Sequence, residues 1–251
     1  MCNISVIVVV YNKRLTECAA LVSLTGIGGL SVYVADNSTR DMGNEALAAQ
    51  AGYTYISMGG NKGLSKAYNK AIGCIEKNDG LICLFDDDTA IGADYFAVLR
   101  ADANTYGDID IFAPVVKDAY GMLSPCLFKG LRGRRAACVA DIPPKNFTAI
   151  NSGLAIRASV FRSYRYDENL FLDYVDHAFI RDIIGHDKSK VHVMDVVLHQ
   201  QFSGSVRQAR PDAMRRYGIF KKDVQYFGRK YGAPRLSVWL LLMRRRLKLL
   251  L

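Results

Sequence analysis

An apolar stretch that runs straight into three aspartates, Leu81-Ile82-Cys83-Leu84-Phe85-Asp86-Asp87-Asp88, constrains this chain more than any other segment. Leu81 to Phe85, bounded by Gly80 and by charge, reads as a strand covered on both faces of a sheet. Three carboxylates at its C-terminal end cannot all ionise there without a compensating cation. In extended chain alternate side chains share a face, so Asp86 and Asp88 are expected to point one way and Asp87 the other. Two carboxylates on one side form a seat for a hard divalent ion, Mg²⁺ or Mn²⁺, carrying a phosphate. The plainer alternative is an acidic turn capping the next helix, because Asp and Thr89 are good N-cap residues.

The flanking segments decide what kind of sheet this strand joins. Ile4–Tyr11 reads as a first buried strand, followed by a turn at Asn12-Lys13 and an amphipathic helix near Leu15–Leu24. Leu30–Ala35 is a second strand, then a helix over 44–51 and a short strand over Tyr53–Met58. The loop Gly59-Gly60-Asn61-Lys62-Gly63 leads into a helix over 64–77. Later strands are expected at Ile109–Val116, Ala149–Ile156 and Val191–His199, with a helix over 173–184. Residues 117–146, rich in Gly, Arg and Pro, form an excursion that includes a hairpin. Strands alternating with helices predict an α/β fold with a mostly parallel central sheet and helices on both faces. In such sheets ligands bind beyond the C-terminal strand ends. Tyr11, Asp36, the Asn61 loop and the triplet all fall at those ends.

Length and composition fit this reading. At 251 residues, half of them hydrophobic and 23% charged, the chain suits one large α/β domain with an appendage. The six cysteines form no CxxC pair and sit mostly in apolar segments, as reduced core thiols of a cytoplasmic protein would. Ile4–Tyr11 is too short for a secretory signal and has no basic region before it. Charge is unevenly placed. Residues 203–251 hold 13 Lys/Arg against 2 Asp, a net of +11, whereas the whole chain is +9, so the first 202 residues carry about −2. We therefore divide the chain into a body over 1–204 and a basic helical extension over 205–251, the latter facing an anionic partner.

Taken in order, several short segments resemble the family 2 glycosyltransferases, of the inverting GT-A type that uses nucleotide-sugar donors. They are Ile7-Val8-Val9-Val10-Tyr11-Asn12, Asp36-Asn37-Ser38, Asn61-Lys62-Gly63 with Asn69 beyond it, and Asp86-Asp87-Asp88. Asn151-Ser152-Gly153, Phe171-Leu172-Asp173-Tyr174-Val175-Asp176 and His199 complete the set. The Phe171–Asp176 segment most resembles the rhamnosyltransferase and galactofuranosyltransferase branch. This resemblance implies a GT-A fold and a metal-dependent transfer of a sugar from a dTDP- or UDP-linked donor to a glycan hydroxyl. A UDP-hexose is a further donor candidate.

The resemblance also implies roles. Asp86 and Asp88, with His199 as a third ligand, hold Mn²⁺ or Mg²⁺ against the donor diphosphate; a structural histidine is the alternative for His199. Asp176 is the candidate base, because single displacement at an anomeric carbon needs a carboxylate to take the acceptor proton. Asp173, three residues earlier, is its rival. Asp36 is expected to read the N3–H of uracil or thymine. Val10, Tyr11, Asn61, Lys62, Gly63 and Asp87 are expected around the nucleoside, and Asn151, Ser152, Gly153, Asp173 and Tyr174 around the sugars.

In the extension, Leu236, Trp239, Leu240, Met243, Leu247, Leu250 and Leu251 recur at helical spacing, with Arg244, Arg245 and Lys248 elsewhere on the wheel. The run is too short to span a bilayer, which takes about 20 residues. It suits an anionic membrane surface, placing the enzyme at the cytoplasmic face beside a lipid-linked oligosaccharide. The alternative is docking on its own body or on a second copy in a homodimer. Arg207, Arg215 and Arg216 are candidates to reach the donor phosphates. No aromatic-basic module supports nucleic-acid binding. A haloacid-dehalogenase-type phosphatase fits poorly, since Ala90 stands where its pattern wants Thr or Val. A nucleotidyltransferase would want a basic Gly-rich loop after the first strand, unlike Tyr11–Leu15. A nucleotide-sugar-binding protein without catalysis is the non-enzyme alternative.

Overall fold

The structure, a computed structural model, describes residues 3–75, 80–187, 191–200 and 210–250. Its first half is a run of parallel crossovers. β1 (Ile4–Val10), β2 (Leu30–Asp36), β3 (Thr54–Ser57) and β4 (Leu81–Asp86) lie in the order β3-β2-β1-β4, all parallel. α1 (Ala19–Leu24), α2 (Asn44–Ala51) and α3 (Leu64–Gly73) connect them. The triplet thus closes a strand beside β1, at the C-terminal edge of the sheet.

Past β4 the sheet becomes mixed. The chain continues through β5 (Thr89–Ala90), α4 (Ala93–Thr105), β6 (Ile111–Asp118) and β7 (Gly121–Ser124). Next come β8 (Cys126–Lys129), β9 (Arg132–Arg134), β10 (Phe147–Thr148) and β11 (Ala155–Arg157). It ends with α5 (Val175–Asp187), β12 (Val191–Gln200), α6 (Arg210–Lys230) and α7 (Arg235–Leu250). β11 inserts antiparallel between β4 and β6, β12 pairs parallel with β6, and β5 closes the edge. β10, β8 and β9 form a separate small sheet within the excursion.

The alternation of side chains assigns each strand residue to one of two cores. Ile7, Ile82 and Leu84 pack with α3, α5 and α6, through residues such as Tyr68, Phe179 and Phe227. Val6, Val8, Cys83 and Phe85 pack with α1, α2 and α4, through Leu21, Ala48 and Tyr95. By the same period Asp86 belongs to the α3/α5/α6 side.

Several expected elements are redrawn. The helix near Leu15–Leu24 is a 3₁₀ turn over Leu15–Glu17 and then α1, because Cys18 between them is extended. The strand expected over Ala149–Ile156 pairs only as β11, and Asn151–Gly153 turn instead. Gly153 has φ +87, and a Cβ there would sit 2.6 Å from Leu198 and from Pro114. Packing pressure rather than strand pairing therefore sets that segment. α3 stops at Gly73, and residues 76 and 77 of the expected helix lie outside the described residues. The extension does not stand apart: Phe220, Val224, Phe227 and Leu242 are buried in the same core as Ile82 and Leu84. Among the described residues no helix is long and apolar enough to cross a membrane.

Candidate active site

Beyond the C-terminal strand ends lies a cavity of about 980 Å³, walled on one side by the sheet edge and on the other by α5 and the start of α6. Its floor is knitted together by asparagines. Asn37, buried after β2, donates to the Gly63 carbonyl at 3.2 Å and accepts from the Lys62 amide at 2.8 Å. Its own amide donates to the Val10 carbonyl at 2.9 Å. Asn12 has φ +51, a conformation asparagine tolerates better than most residues. There it takes the Thr39 amide at 2.9 Å, while its own amide donates to Ser38 Oγ at 2.8 Å. Three strand-end loops become one rigid rim.

The expected nucleotide residues divide over this rim. Tyr11, Asn61, Gly63 and Asp87 line the cavity. Val10 is fully buried and contributes its carbonyl, and Lys62 contributes its amide while its side chain is exposed. Asp36, expected to read the nucleobase, already accepts three hydrogen bonds within the protein. One oxygen accepts from Ser38 N at 2.9 Å, the other from Asn44 Nδ2 at 2.9 Å and Tyr55 Oη at 3.1 Å, and the residue is buried. It braces the rim from beneath, while Asn37 and Thr39 face the cavity. At Gly63, φ is +93 and a Cβ would lie 2.8 Å from the Phe171 carbonyl oxygen. Leu64 N donates to that same oxygen at 2.6 Å. Gly63→Ala is therefore expected to lower stability by about 2 kcal/mol or more, measured by urea unfolding, because both the dihedral and the contact oppose a methyl group.

The triplet occupies the centre. β4 ends at Asp86, so Asp87 and Asp88 lie in the turn to β5 rather than in extended chain. Asp86 and Asp88 nevertheless share a partner: Gln200 Nε2 donates to Asp86 Oδ2 at 3.3 Å and to Asp88 Oδ1 at 2.9 Å. Asp87 faces Lys13, with Nζ–Oδ1 at 3.4 Å, and also lines the cavity, so it does not turn away from the site. Burial, then the charges of Asp88 and Asp176, push the Asp86 carboxyl up to about 7. Burial also raises Asp87, against the pull of Lys13. Ser152 supports the strand end from behind, accepting from the Asp86 amide at 3.1 Å and sharing a hydrogen bond with Thr89.

His199, expected as the third ligand, lies elsewhere. It is exposed and pairs with Ala90 across the β12–β5 ladder. Strand alternation turns Leu198 and Gln200 inward and His199 outward, so the amide of Gln200 stands beside the carboxylates. Among the described residues no three His, Cys, Asp or Glu side chains gather into a metal cage. The oxygen set still suits a hard cation. Two repelling carboxylates have an amide as their shared partner, and Gln200 Oε1 is buried with no hydrogen-bond partner. A divalent ion would remove the charge conflict at Asp86 and find oxygen donors of the kind Mg²⁺ and Mn²⁺ prefer.

Asp176, in the first turn of α5, projects into the same cavity. His177 N donates to its Oδ1 at 2.7 Å, and its charge reaches Asp86. The rival Asp173 is engaged: Arg216 grips it with both guanidinium nitrogens, one at 2.8 Å. Tyr174, expected near the sugars, has φ +66 and turns away, donating to the Leu131 carbonyl at 3.0 Å and packing on Phe227. Asn151 does face the cavity and accepts from Tyr166 Oη at 2.9 Å. Ser152 and Gly153 lie behind it as support. Arg215 and Arg216 line the opposite wall, and Arg207 lies outside the described residues.

One residue that shapes the site gave no signal in the sequence beyond being an acid in a basic tail. Asp223 of α6 is fully buried and accepts the amides of Phe171 at 2.9 Å, Leu172 at 2.9 Å and Asp173 at 2.8 Å. Burial raises its carboxyl, and the three N–H donors oppose that rise. It fixes the loop that launches α5 and so positions Asp176. Asp223→Ala is expected to cost about 3 kcal/mol in urea unfolding, because three part-buried backbone donors lose their shared charged acceptor.

Comparison with known proteins agrees with this fold. Residues 5–165 match the family model for glycosyl transferase family 2. The chain is 30% identical over 179 residues to the dTDP-rhamnosyl transferase RfbF of Shigella flexneri, covering 69% of this chain and 60% of that protein. It thus spans less than two thirds of this relative's length. Among solved structures it resembles S. aureus TarS, with TM-score 0.58 and 17% identity over 90% of this chain and 40% of that one. It also resembles the mannosyltransferase PcManGT of Pyrobaculum calidifontis, solved in complex with GDP-Man and Mn²⁺. There the TM-score is 0.60 and the identity 15%, over 99% of this chain and 70% of that one. These likenesses establish the GT-A architecture. With the family match covering most of the sheet and the triplet, the chain belongs to glycosyl transferase family 2.

Proposed function

We propose that this protein is an inverting, metal-dependent glycosyltransferase that moves a rhamnosyl group from dTDP-rhamnose to a glycan hydroxyl. The observation that carries the proposal is the convergence of Asp86, Asp88 and Asp176 on one cavity at the sheet edge. Asp86 and Asp88 would hold the divalent ion, which neutralises the charge that develops on the leaving diphosphate. Asp176 takes the proton from the acceptor hydroxyl as that oxygen attacks the anomeric carbon. The nucleoside lies on the rim made by Tyr11, Asn37, Thr39 and Asn61, and Arg215 stands on the far wall for phosphate. Arg216 is held by Asp173 and would have to exchange that partner to join it. The rhamnosyl assignment is supported by the likeness to RfbF, and UDP-galactofuranose or a UDP-hexose is the second choice.

On this reading residues 1–204 carry the chemistry and 205–251 close its outer wall through α6. α7 lies on an anionic membrane surface at the cytoplasmic face, beside a lipid-linked acceptor of a surface polysaccharide. A thermal-shift panel of dTDP-rhamnose, UDP-galactofuranose, UDP-glucose and GDP-mannose with Mn²⁺ tests the donor, since bound ligand raises stability by mass action. The largest shift is expected with dTDP-rhamnose; a larger shift with any of the others would overturn the sugar assignment.

A further inference from the structure

A second cavity, of about 520 Å³, opens where the β8–β9 hairpin meets the turn between α6 and α7. It shares no lining residue with the donor cavity. Lys129, Arg132 and Arg181 line it, each exposed, and none is paired with a carboxylate among the described residues. The Arg181 guanidinium is held 4.4 Å from the centre of the Tyr231 ring, which fixes it without neutralising it. Leu240 completes the wall on the α7 side.

Leu240 also belongs to a different surface. Leu236, Trp239, Leu240, Met243 and Leu247 are exposed by 65, 55, 52, 39 and 53%. At about 100° per residue they form one stripe along α7. The docked face of the helix is opposite, with Leu242 buried, Val238 and Leu241 packed on the core, and Arg245 over the Phe220 ring. Basic residues flank the stripe on both sides, Arg244 and Lys248 on one and Arg235 and Arg246 on the other. An apolar band bordered by cations matches a membrane interface, where apolar side chains enter the acyl boundary and cations stay at headgroup depth.

We infer that this basic cavity is a headgroup site for an anionic phospholipid. Its phosphate would lie between Arg132 and Arg181, and its acyl chains would continue along the α7 stripe past Leu240. The inference rests on the reading of α7 as a membrane-facing helix and adds to it a defined lipid site. Charge complementarity selects the occupant: the cavity is cationic at its polar end and apolar where it joins the stripe.

Vesicle sedimentation of the full chain tests both levels. Vesicles of phosphatidylcholine alone are compared with vesicles that also contain phosphatidylglycerol. Wild type should prefer the anionic vesicles, and Trp239→Ser/Leu240→Ser should lose binding to both. Arg132→Ala/Arg181→Ala should weaken anionic-vesicle binding by more than the roughly thirtyfold that two surface cations contribute by charge alone. The charge-matched pair Arg235→Ala/Arg246→Ala should lose no more than about thirtyfold, because it removes surface charge but not the cavity. Equal losses in the two arginine pairs would overturn the headgroup site while leaving the membrane-facing helix intact. Failure of wild type to bind anionic vesicles would overturn both. Competition by inorganic phosphate at millimolar concentration would show a free-phosphate site and overturn the lipid assignment. Circular dichroism and donor hydrolysis of the Arg132/Arg181 variant should match wild type.

Discussion

Asp176→Asn is expected to lower the rate of sugar transfer by about 10²- to 10⁴-fold while leaving the affinity for metal and nucleotide sugar nearly unchanged. The asparagine is close to isosteric and keeps the His177 amide contact at the start of α5, but it cannot accept a proton from the acceptor. The loop that carries it is held independently, by the three amides on Asp223. Transfer kinetics with calorimetric donor titration separate the two effects. Full transfer activity in the variant would exclude Asp176 as the base. Asp173→Asn provides the contrast: it frees Arg216 from its carboxylate partner, so its main effect is expected on donor KM rather than on kcat.

Asp86→Asn is expected to abolish metal-dependent activity and yet to raise the stability of the metal-free protein at neutral pH. The Asp86 carboxyl moves from an ordinary 3.8 to about 7, driven by burial and by the charges of Asp88 and Asp176. Its folded value lies above its unfolded one, so between those values the folded state holds a proton that the unfolded state has lost. Stability of the metal-free protein therefore falls as pH rises from about 4 to about 7, and this contribution levels off above 7. The asparagine carries no charge and should remove that decline, raising Tm at pH 7.5 by about 3–8 °C. The same linkage predicts that stabilisation of wild type by Mn²⁺ grows as pH rises to 7, because the ion must displace the proton. Scanning calorimetry across pH, with and without Mn²⁺, checks both. A metal-free Tm of Asp86→Asn no higher than wild type would mean that the carboxylates are already compensated within the protein.

The parallel half of the fold was legible because its strands are short, mostly apolar runs bounded by turn residues, and the two central ones, β1 and β4, are covered on both faces. The expected helix over 44–51 coincides with α2, which Gly43 and Gly52 bound in left-handed conformations that few other residues adopt. The antiparallel insertion of β11 was not legible. Ala149–Ile156 has the composition of a strand throughout, but Gly153 is pressed against Leu198 and Pro114, and only its last residues find a partner. The site shows the same division. That Asp86, Asp88 and Asp176 line one cavity agrees with the sequence reading, whereas the bracing role of Asp36 was not legible, because one of its oxygens is filled by Asn44 and Tyr55 from other elements and the other by the Ser38 amide.

By itself the sequence determined the strand ends at which the cavity forms, the clustered carboxylates, the family, and the separation of a basic extension from a slightly acidic body. These are properties of local pattern: period, punctuation and charge along the chain. Only the tertiary structure decided that Gln200 rather than His199 stands beside the carboxylates, since strand register fixes which of two neighbours faces inward. It alone decided that Asp223 of the extension holds the loop before α5, and that α7 turns its apolar stripe outward. Each of those outcomes depends on contacts between residues far apart in the chain, and no local pattern encodes such contacts.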